Sequence, residues 1–228
     1  MNKKRGSIKC MVIGTGLETL ANKLKSLIEI EDIDKATIDE DTWMSVDLGF
    51  IITNDTECDE YKSSLSDADK TVKHIFHIII SSNDAPGAFL RVDPSQFQSD
   101  DMYDYIVNAV ESIVGTVYNQ NYVAIKPYDF LDFLNTGNEV KFIYGEAVGE
   151  NVWLEATNNA IDKITADSSK VANIIYSVAS GRDDISLYEI EAAGKKLVSR
   201  FGKDVNVIYG FGLNERLGDA VKVYIWLA

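Results

Sequence analysis

A short glycine turn near the start of the chain is the first feature that could do chemistry. Gly14, Thr15 and Gly16 follow the apolar run Ile8–Ile13, and a turn between a strand and a helix can present backbone N–H groups to a phosphate. The third glycine of a dinucleotide fingerprint is missing, because Thr19 stands in its position. Glu18 adds a carboxylate to the first helical turn, where it would compete with a phosphate. The pattern therefore predicts either a weak phosphate site or an ordinary tight connection.

Histidines, serines and cysteines are the other candidate ligands and nucleophiles. His74 and His77 flank a predicted strand with no Cys or acid at ligand spacing on the same face, so we expect no metal site. Ser81-Ser82 lacks the glycines that expose a nucleophilic serine. Cys10 lies in an apolar run and is predicted to be a buried thiol, and its wide separation from Cys58 favours neither a disulfide nor a zinc site.

Composition limits the classes of partner. The chain has 228 residues, of which 46% are hydrophobic and 25% charged, and this balance predicts a globular protein with a sizeable core. A net charge of −14 argues against a nucleic-acid surface, since phosphate binding needs clustered Lys and Arg, and Lys3-Lys4-Arg5 is the only basic cluster. No apolar run approaches the roughly 18 residues of a membrane span. We expect a cytoplasmic protein with no signal peptide and no direct membrane insertion.

The hydrophobic pattern of the first half predicts an α/β domain. Strands are predicted at Ile8–Ile13, 48–52 and 75–80, and the polar stretch 54–73 is expected to be part loop and part helix. One predicted helix follows the glycine turn, with its apolar stripe formed by Leu17, Leu20, Ala21, Leu24, Leu27 and Ile28. A longer helix over residues 102–117 is apolar on most sides, which is typical of a helix between two packed bodies.

The second half predicts another compact α/β unit. Strands are expected at 141–144, 171–179, 205–209 and 221–227, and helices at 151–164 and 186–201. Gly149 and Gly181 interrupt the pattern at strand ends, where we expect a positive φ. Ser186 is a predicted N-cap, and Glu189 three residues later would complete a capping box.

Three segments of this second unit together resemble the FtsZ/tubulin family. Residues 145–151 (GEAVGEN) and 180–189 (SGRDDISLYE) are similar to two glycine-containing segments of FtsZ, and 206–223 is similar to its last hairpin. The resemblance is strong over about residues 140–228. It implies a tubulin/FtsZ-like α/β fold with a shortened Rossmann-like domain over 1–99, a central connecting helix over 100–120 and a smaller α/β domain over 121–228. Gly14, Thr15 and Gly16 would then be the phosphate turn.

The chain departs from the family where nucleotide is held. FtsZ and tubulin bind phosphates with a loop close to GGGTGTG after a buried strand, but here the corresponding segment is Thr53–Glu60. It contains four acids, and there is no glycine between Gly49 and Gly87. We therefore expect GTP binding to be lost and no cofactor to be held. GTP with Mg²⁺ stays the alternative.

The resemblance also points to two aspartates. FtsZ carries an asparagine-x-aspartate-x-x-aspartate loop that reaches the nucleotide of the next subunit, and Asp129 and Asp132 keep the two acids at that spacing. Pro127 replaces the asparagine and removes a donor. These aspartates are either remnants of a catalytic loop or caps at the start of a helix.

The resemblance implies a cytoskeletal or cell-division-related protein that acts through head-to-tail contact with itself or with an FtsZ-type protein. The alternative is a shortened GTPase that still polymerises. A third interpretation is a small α/β protein with an unrelated ligand. Because the sequence stops at Ala228, just after the last predicted strand, we expect no flexible tail for membrane-bound partners.

Overall fold

A computed structural model describes residues 8–27, 43, 46–118, 120–134, 139–164, 171–182 and 186–228. The chain divides into two compact units, Met1–Glu111 and Ser112–Ala228. The boundary falls within the long helix that the sequence predicts. Both units mix helices with strands, which confirms the predicted fold class. The domain limits 99/100 and 120/121 stay a prediction. Ile28 and the basic residues 3–5 lie outside the described residues.

The first unit is built on a parallel sheet. Its strands are in the order β1-β2-β3-β4, and the predicted strands in the first half are confirmed. The fourth strand was not predicted, because three residues are too few for a periodic pattern. The described elements are β1 (Ile8–Ile13), α1 (Glu18–Leu27), β2 (Leu48–Thr53), α2 (Asp59–Thr71), β3 (His74–Ile80), β4 (Leu90–Val92) and the first part of α3 (Ser99–Tyr118).

A hydrophobic cluster joins α2 to this sheet. Tyr61, Ser64 and Ala68 form the buried face of α2, because their spacing returns each to the same side. The other residues of this helix are polar except Leu65, which is partly buried against the cluster. Met11 and Ile51 of the strands pack in the same cluster. All six residues of β2 are buried, as expected for a strand covered on both faces. This packing fixes where the carboxyl ends of β1 and β2 lie.

The second unit contains a mixed five-stranded sheet in the order β5-β8-β7-β9-β6. Strands β7 and β8 are parallel, and the other neighbouring pairs are antiparallel. The predicted strands and helices of this half are confirmed with shifted ends, whereas β5 was not predicted. The elements after α3 are β5 (Gln120–Val123), α4 (Pro127–Leu134), β6 (Lys141–Val148), α5 (Val152–Ile161), β7 (Asn173–Ser180), α6 (Leu187–Phe201), β8 (Asn206–Leu213) and β9 (Ala220–Leu227).

The expectation that residues 206–223 form a hairpin is wrong. Strands β8 and β9 are consecutive in the sequence, but β7 lies between them in the sheet. The connection between them crosses the end of β7, since the N–H of Asn214 donates to the carbonyl of Ser180 at 2.7 Å and the N–H of Gly181 donates to Ala220 at 3.1 Å. The central position of β7 follows from its near-continuous apolar run, which is buried on both faces.

The two glycines singled out at strand ends have different roles. Gly149 has φ of +114°, which confirms the predicted positive φ. Gly181 is not among the positive-φ glycines, so that prediction is wrong. A Cβ at Gly181 would collide with the backbone of Gly218 in the crossing connection. Glycine is needed there because two backbone segments approach closely.

Helices α5 and α6 pack with the five-stranded sheet around one core. Trp153 of α5 stacks on Phe211 of β8 with ring centroids 5.6 Å apart. Residues at i, i+3 and i+4 of α5 are buried, which is why its apolar spacing predicted a helix. Among the fully or nearly buried members of this core are Val152, Trp153, Ala156, Ala160, Ile174, Tyr176, Ala193, Leu197, Val221, Val223 and Ile225.

Candidate functional site

The glycine turn lies at the carboxyl edge of the parallel sheet, between β1 and α1. Gly14 has φ of +125° and Gly16 has φ of +74°, two values that favour glycine over other residues. Thr15 and Gly16 are exposed. The turn therefore has the backbone conformation that lets a chain approach a phosphate closely, and phosphate binding itself stays a prediction.

Asn54 covers this turn from the neighbouring strand. Its Nδ2 donates to the carbonyl oxygen of Thr15 at 2.9 Å. A Cβ at Gly14 would collide with Asn54 Oδ1, so the amide lies directly against the turn. The contact follows from the register of the sheet, because Ile13 is paired with Thr53 and the residues after them are neighbours. A side chain thus occupies the space that the first glycine leaves open.

The connection after β2 satisfies its own backbone donors. Asp55 Oδ1 accepts the N–H of Glu57 at 3.0 Å and the N–H of Cys58 at 3.2 Å. Cys58 is the N-cap of α2 and makes no side-chain cap bond itself. The N–H groups at a helix N-terminus are the donors that an anion would use. Here the Asp55 carboxylate takes the N–H groups of the N-cap and of the residue before it, so neither of these two donors is open to an anion.

The order of the strands also argues against a ligand crevice beside the glycine turn. Ligands of open α/β sheets bind in the crevice where the strand order reverses. Within the part of the chain that the structure describes, the parallel sheet runs β1-β2-β3-β4 without a reversal. Strand β1 lies at one end of this order, and no described strand lies on its other side. The described sheet therefore has the glycine turn but lacks such a crevice beside it.

The two predicted aspartates lie on α4 in the second unit. Asp129 Oδ2 accepts the N–H of Lys126 at 2.8 Å, and the N–H of Asp129 donates to the carbonyl of Lys126 at 2.9 Å. Pro127 is the first residue of the helix, a position that needs no backbone donor. Asp132 lies one turn further on and is exposed. Asp129 is thus a helix cap in this structure, and a catalytic role for either residue stays a prediction.

The structure gives local contacts or burial for three of the remaining candidates, His77, Cys10 and Ser81. Among the described residues there is no group of three or more His, Cys, Asp or Glu side chains that could hold a metal ion. Burial lowers the pKa of His77, although the Asp69 carboxylate and a hydrogen bond to the Gly87 backbone oppose this shift. Burial raises the pKa of Cys10 to about 12, so this thiol is inert at neutral pH. Ser81 Oγ accepts the N–H of Asn83 within its own turn.

Helix α3 supplies contacts to the glycine turn that the sequence did not reveal. The Tyr103 hydroxyl donates to the carbonyl oxygen of Gly16 at 2.8 Å, across 87 positions of sequence. Next to it, Asp104 forms an ion pair with Lys23 of α1. Both residues are half-buried in the early turns of α3, and their types alone do not distinguish them from other polar or aromatic residues of the helix. Asn54, Tyr103 and Asp55 together hold the turn and its neighbour in place.

No described helix is both long enough and apolar enough to cross a membrane.

Comparison with known proteins gives a family match for residues 140–228 and the fold of the chain. Residues 140–228 match the FtsZ family, C-terminal domain. A single-residue mutant of FtsZ from M. jannaschii is 16% identical with a TM-score of 0.53, over 80% of this chain and 56% of that one. An empty FtsZ dimer from the same organism is 15% identical with a TM-score of 0.51, over 79% of this chain and 54% of that one. TubZ from Bacillus thuringiensis serovar israelensis, in a GTPγS-form protofilament, is 9% identical with a TM-score of 0.54. The match covers 92% of this chain and 66% of that one.

The chain spans about half the length of the FtsZ chains that it matches. At these identities the solved structures establish the fold rather than the activity. The family match covers β6 to β9 with α5 and α6, which are the elements that carry the sequence resemblance. Residues 140–228 therefore match an FtsZ-family C-terminal domain, in a chain that has the FtsZ/tubulin-like α/β fold.

Proposed function

We propose that this chain is an FtsZ-like cytoskeletal or cell-division-related protein that acts through head-to-tail protein contact in the cytoplasm and no longer binds GTP. The family of residues 140–228 and the fold support the cytoskeletal assignment. The solved relatives include an FtsZ dimer and a TubZ protofilament. Self-association is accordingly the activity proposed for this chain, with itself or an FtsZ-type protein as the partner.

The Asp55 carboxylate is the observation that carries the loss of GTP binding. It accepts the N–H groups of Glu57 and Cys58. By the resemblance, both residues lie in the segment that corresponds to the family's glycine-rich phosphate loop. A phosphate would have to displace a covalently attached anion from these donors. It would also meet Asp59 and Glu60, both exposed, in the first turn of α2. Like charges at such short range disfavour binding of a triphosphate.

An exposed apolar surface around α4 supports the contact between subunits. Tyr122 and Val123 of β5 are 48% and 44% exposed, and Tyr128 of α4 is 43% exposed. Strand β5 is an edge strand among the described strands of its sheet. Lys126 Nζ lies 5.3 Å from the centroid of the Tyr128 ring. By the family resemblance, this segment after α3 is the one that meets the next subunit.

Two measurements test the proposal. Titration calorimetry with GTP and Mg²⁺ should show no binding at concentrations that would reveal a Kd of about 100 μM. Sedimentation velocity should show association that increases with protein concentration and does not depend on added nucleotide. Tyr128→Asp should weaken that association, whereas Tyr188→Asp should not, since Tyr188 is also exposed (86%) but lies on α6. A monomer at all concentrations, alone and with an FtsZ-type protein, would sink the proposal.

A second candidate is a shortened GTPase that polymerises. The glycine turn favours it, because Gly14 and Gly16 keep the positive φ values of a turn that can approach a phosphate closely. This candidate requires Asn54 to leave the turn when nucleotide arrives. It predicts calorimetric heat with GTP and phosphate release that depends on Mg²⁺. A flat titration would remove it and leave the first proposal intact.

A further inference from the structure

We propose that the cleft between the ends of α5 and α6 binds an acidic peptide segment of a partner protein. This site lies within the second unit and does not depend on the contact or the loss of GTP binding proposed above. The cleft has a volume of about 380 Å³ and is lined by Ile161, Asp162, Ile164, Lys196, Ser199 and Arg200. Ligand sites in proteins start at about 300 Å³, so a few residues of an extended peptide fit.

Two cations on α6 form one wall of the cleft. Lys196 and Arg200 are four residues apart, so both side chains lie on the same face of the helix. Arg200 Nη2 donates to the carbonyl oxygen of Ile164 at 3.3 Å. This bond uses one of its five donors and orients the guanidinium while the others stay available. An oriented guanidinium is the side chain best suited to a carboxylate.

Lys196 differs from its neighbour in a way that points to a ligand. Lys195 is paired with Glu191 at 2.6 Å on the exposed face of α6. Lys196 forms no ion pair with any described residue, although the chain has a net charge of −14. A lysine that stays unpaired in so acidic a protein, next to an oriented arginine, makes a local cationic site. Charge complementarity therefore favours an acidic occupant.

The other lining residues favour a peptide over a phosphate. Asp162 would repel an anion placed beside it, but it can accept a hydrogen bond from a peptide N–H, a donor that phosphate lacks. Ile161 and Ile164 offer an apolar floor for one aliphatic side chain. The Ser199 hydroxyl is a further donor for a peptide carbonyl or carboxylate. A segment that alternates acidic and aliphatic residues offers a partner to both the cations and the isoleucines, whereas inorganic phosphate offers none to the isoleucines.

The test uses the full chain and a labelled peptide of alternating glutamate and leucine, blocked at both ends. About eight residues are enough, since an extended chain covers about 3.3 Å per residue. Fluorescence anisotropy should give a Kd on the order of 10–100 μM at low salt. Lys196→Glu should weaken binding at least tenfold, and Arg200→Gln should weaken it as well. Lys195→Glu, with the same change in net charge, should alter it less than twofold.

Three outcomes would overturn the proposal. The first is no binding at peptide concentrations near 1 mM. The second is an equal loss in the Lys195→Glu and Lys196→Glu variants, which would indicate general charge attraction. The third is that Lys196→Glu abolishes self-association of the protein without peptide, since the occupant would then be a second copy of this chain. None of these outcomes bears on the GTP titration, and only the third, which would place Lys196 in the contact between subunits, bears on the self-association that Tyr128→Asp tests.

Discussion

The Glu189 carboxylate accepts the backbone N–H of Trp153 at 3.3 Å. Trp153 is the second residue of α5, and the N-cap of that helix, Asn151, is left-handed with φ of 50° and makes no side-chain cap bond. Glu189 therefore satisfies a donor at the start of the neighbouring helix. Ser186 does cap α6, because its Oγ accepts the N–H of Glu189 at 3.3 Å. Only one half of the predicted capping box is formed, and the other half joins α6 to α5.

A double-mutant cycle distinguishes the two arrangements. Ser186→Ala and Glu189→Ala should each lower the free energy of unfolding by about 1 kcal/mol, since each removes a helix cap. Because the two side chains cap different helices, the double variant should lose the sum to within about 0.5 kcal/mol. Urea denaturation followed by tryptophan fluorescence measures the three values. A clearly sub-additive loss would indicate a reciprocal capping box in solution and contradict the structure.

The two aspartates of α4 should differ in stability. Asp129→Ala removes the carboxylate that accepts the Lys126 N–H, so we expect a loss of about 1 kcal/mol. Asp132→Ala changes an exposed side chain and should stay within about 0.5 kcal/mol of wild type. Thermal denaturation of both variants is sufficient. Equal stability, combined with a matched loss of GTP hydrolysis, would support the catalytic interpretation instead.

The sequence predicted the elements well where burial repeats regularly. Both ends of the strand Ile8–Ile13 agree with the prediction. Strands β2 and β3 each differ from the prediction by one residue at one end. Each of these strands is a nearly continuous apolar run, and all six residues of β2 are buried. The short strands β4 and β5 were not predicted, because three or four residues do not establish a period.

Topology and the candidate site were less predictable. Which strands are neighbours depends on how the connections pack, and the crossing of β8 to β9 over Ser180 has no local signal. Gly14 and Gly16 could be found from their type and spacing. Tyr103 could not, because its bond to Gly16 joins residues 87 positions apart. From the sequence, the acids after β2 are expected only to disfavour a phosphate. The structure shows that Asp55 also accepts a backbone N–H of its own turn.

Gly14 should tolerate alanine poorly. Its φ of +125° is strained for any residue with a Cβ, and that Cβ would also collide with Asn54. Gly87 is a matched control, because it has φ of +85° with no atom within 4 Å of a new Cβ. We expect Gly87→Ala to cost about 1 kcal/mol from backbone strain alone, and Gly14→Ala to cost at least about 2 kcal/mol. Chemical denaturation measures both.

The contact with Asn54 can be isolated by one further variant. In an Asn54→Gly background, Gly14→Ala keeps the backbone strain but loses the collision. Its cost should then fall towards that of Gly87→Ala. If the cost of Gly14→Ala is the same in both backgrounds, Asn54 does not lie over the turn in solution. The support that this contact gives to the loss of phosphate binding would then disappear.

Acid should destabilise the protein through His77. Burial lowers its pKa in the folded state, and no described group accepts a hydrogen bond from or donates one to the buried Nε2. Between the lowered pKa and the ordinary value of 6.5, the unfolded chain binds more protons than the folded one. The contribution of the neutral ring to the free energy of unfolding is therefore complete above about pH 6.5 and decreases as the pH falls through this window.

His77→Gln removes the titration, so the stability advantage of wild type over this variant should shrink between about pH 7.5 and pH 5. Urea denaturation at several pH values measures that difference directly, and the other titrating groups cancel because both proteins share them. A difference that is constant across this range would show that His77 is as accessible to protons in the folded chain as in the unfolded one.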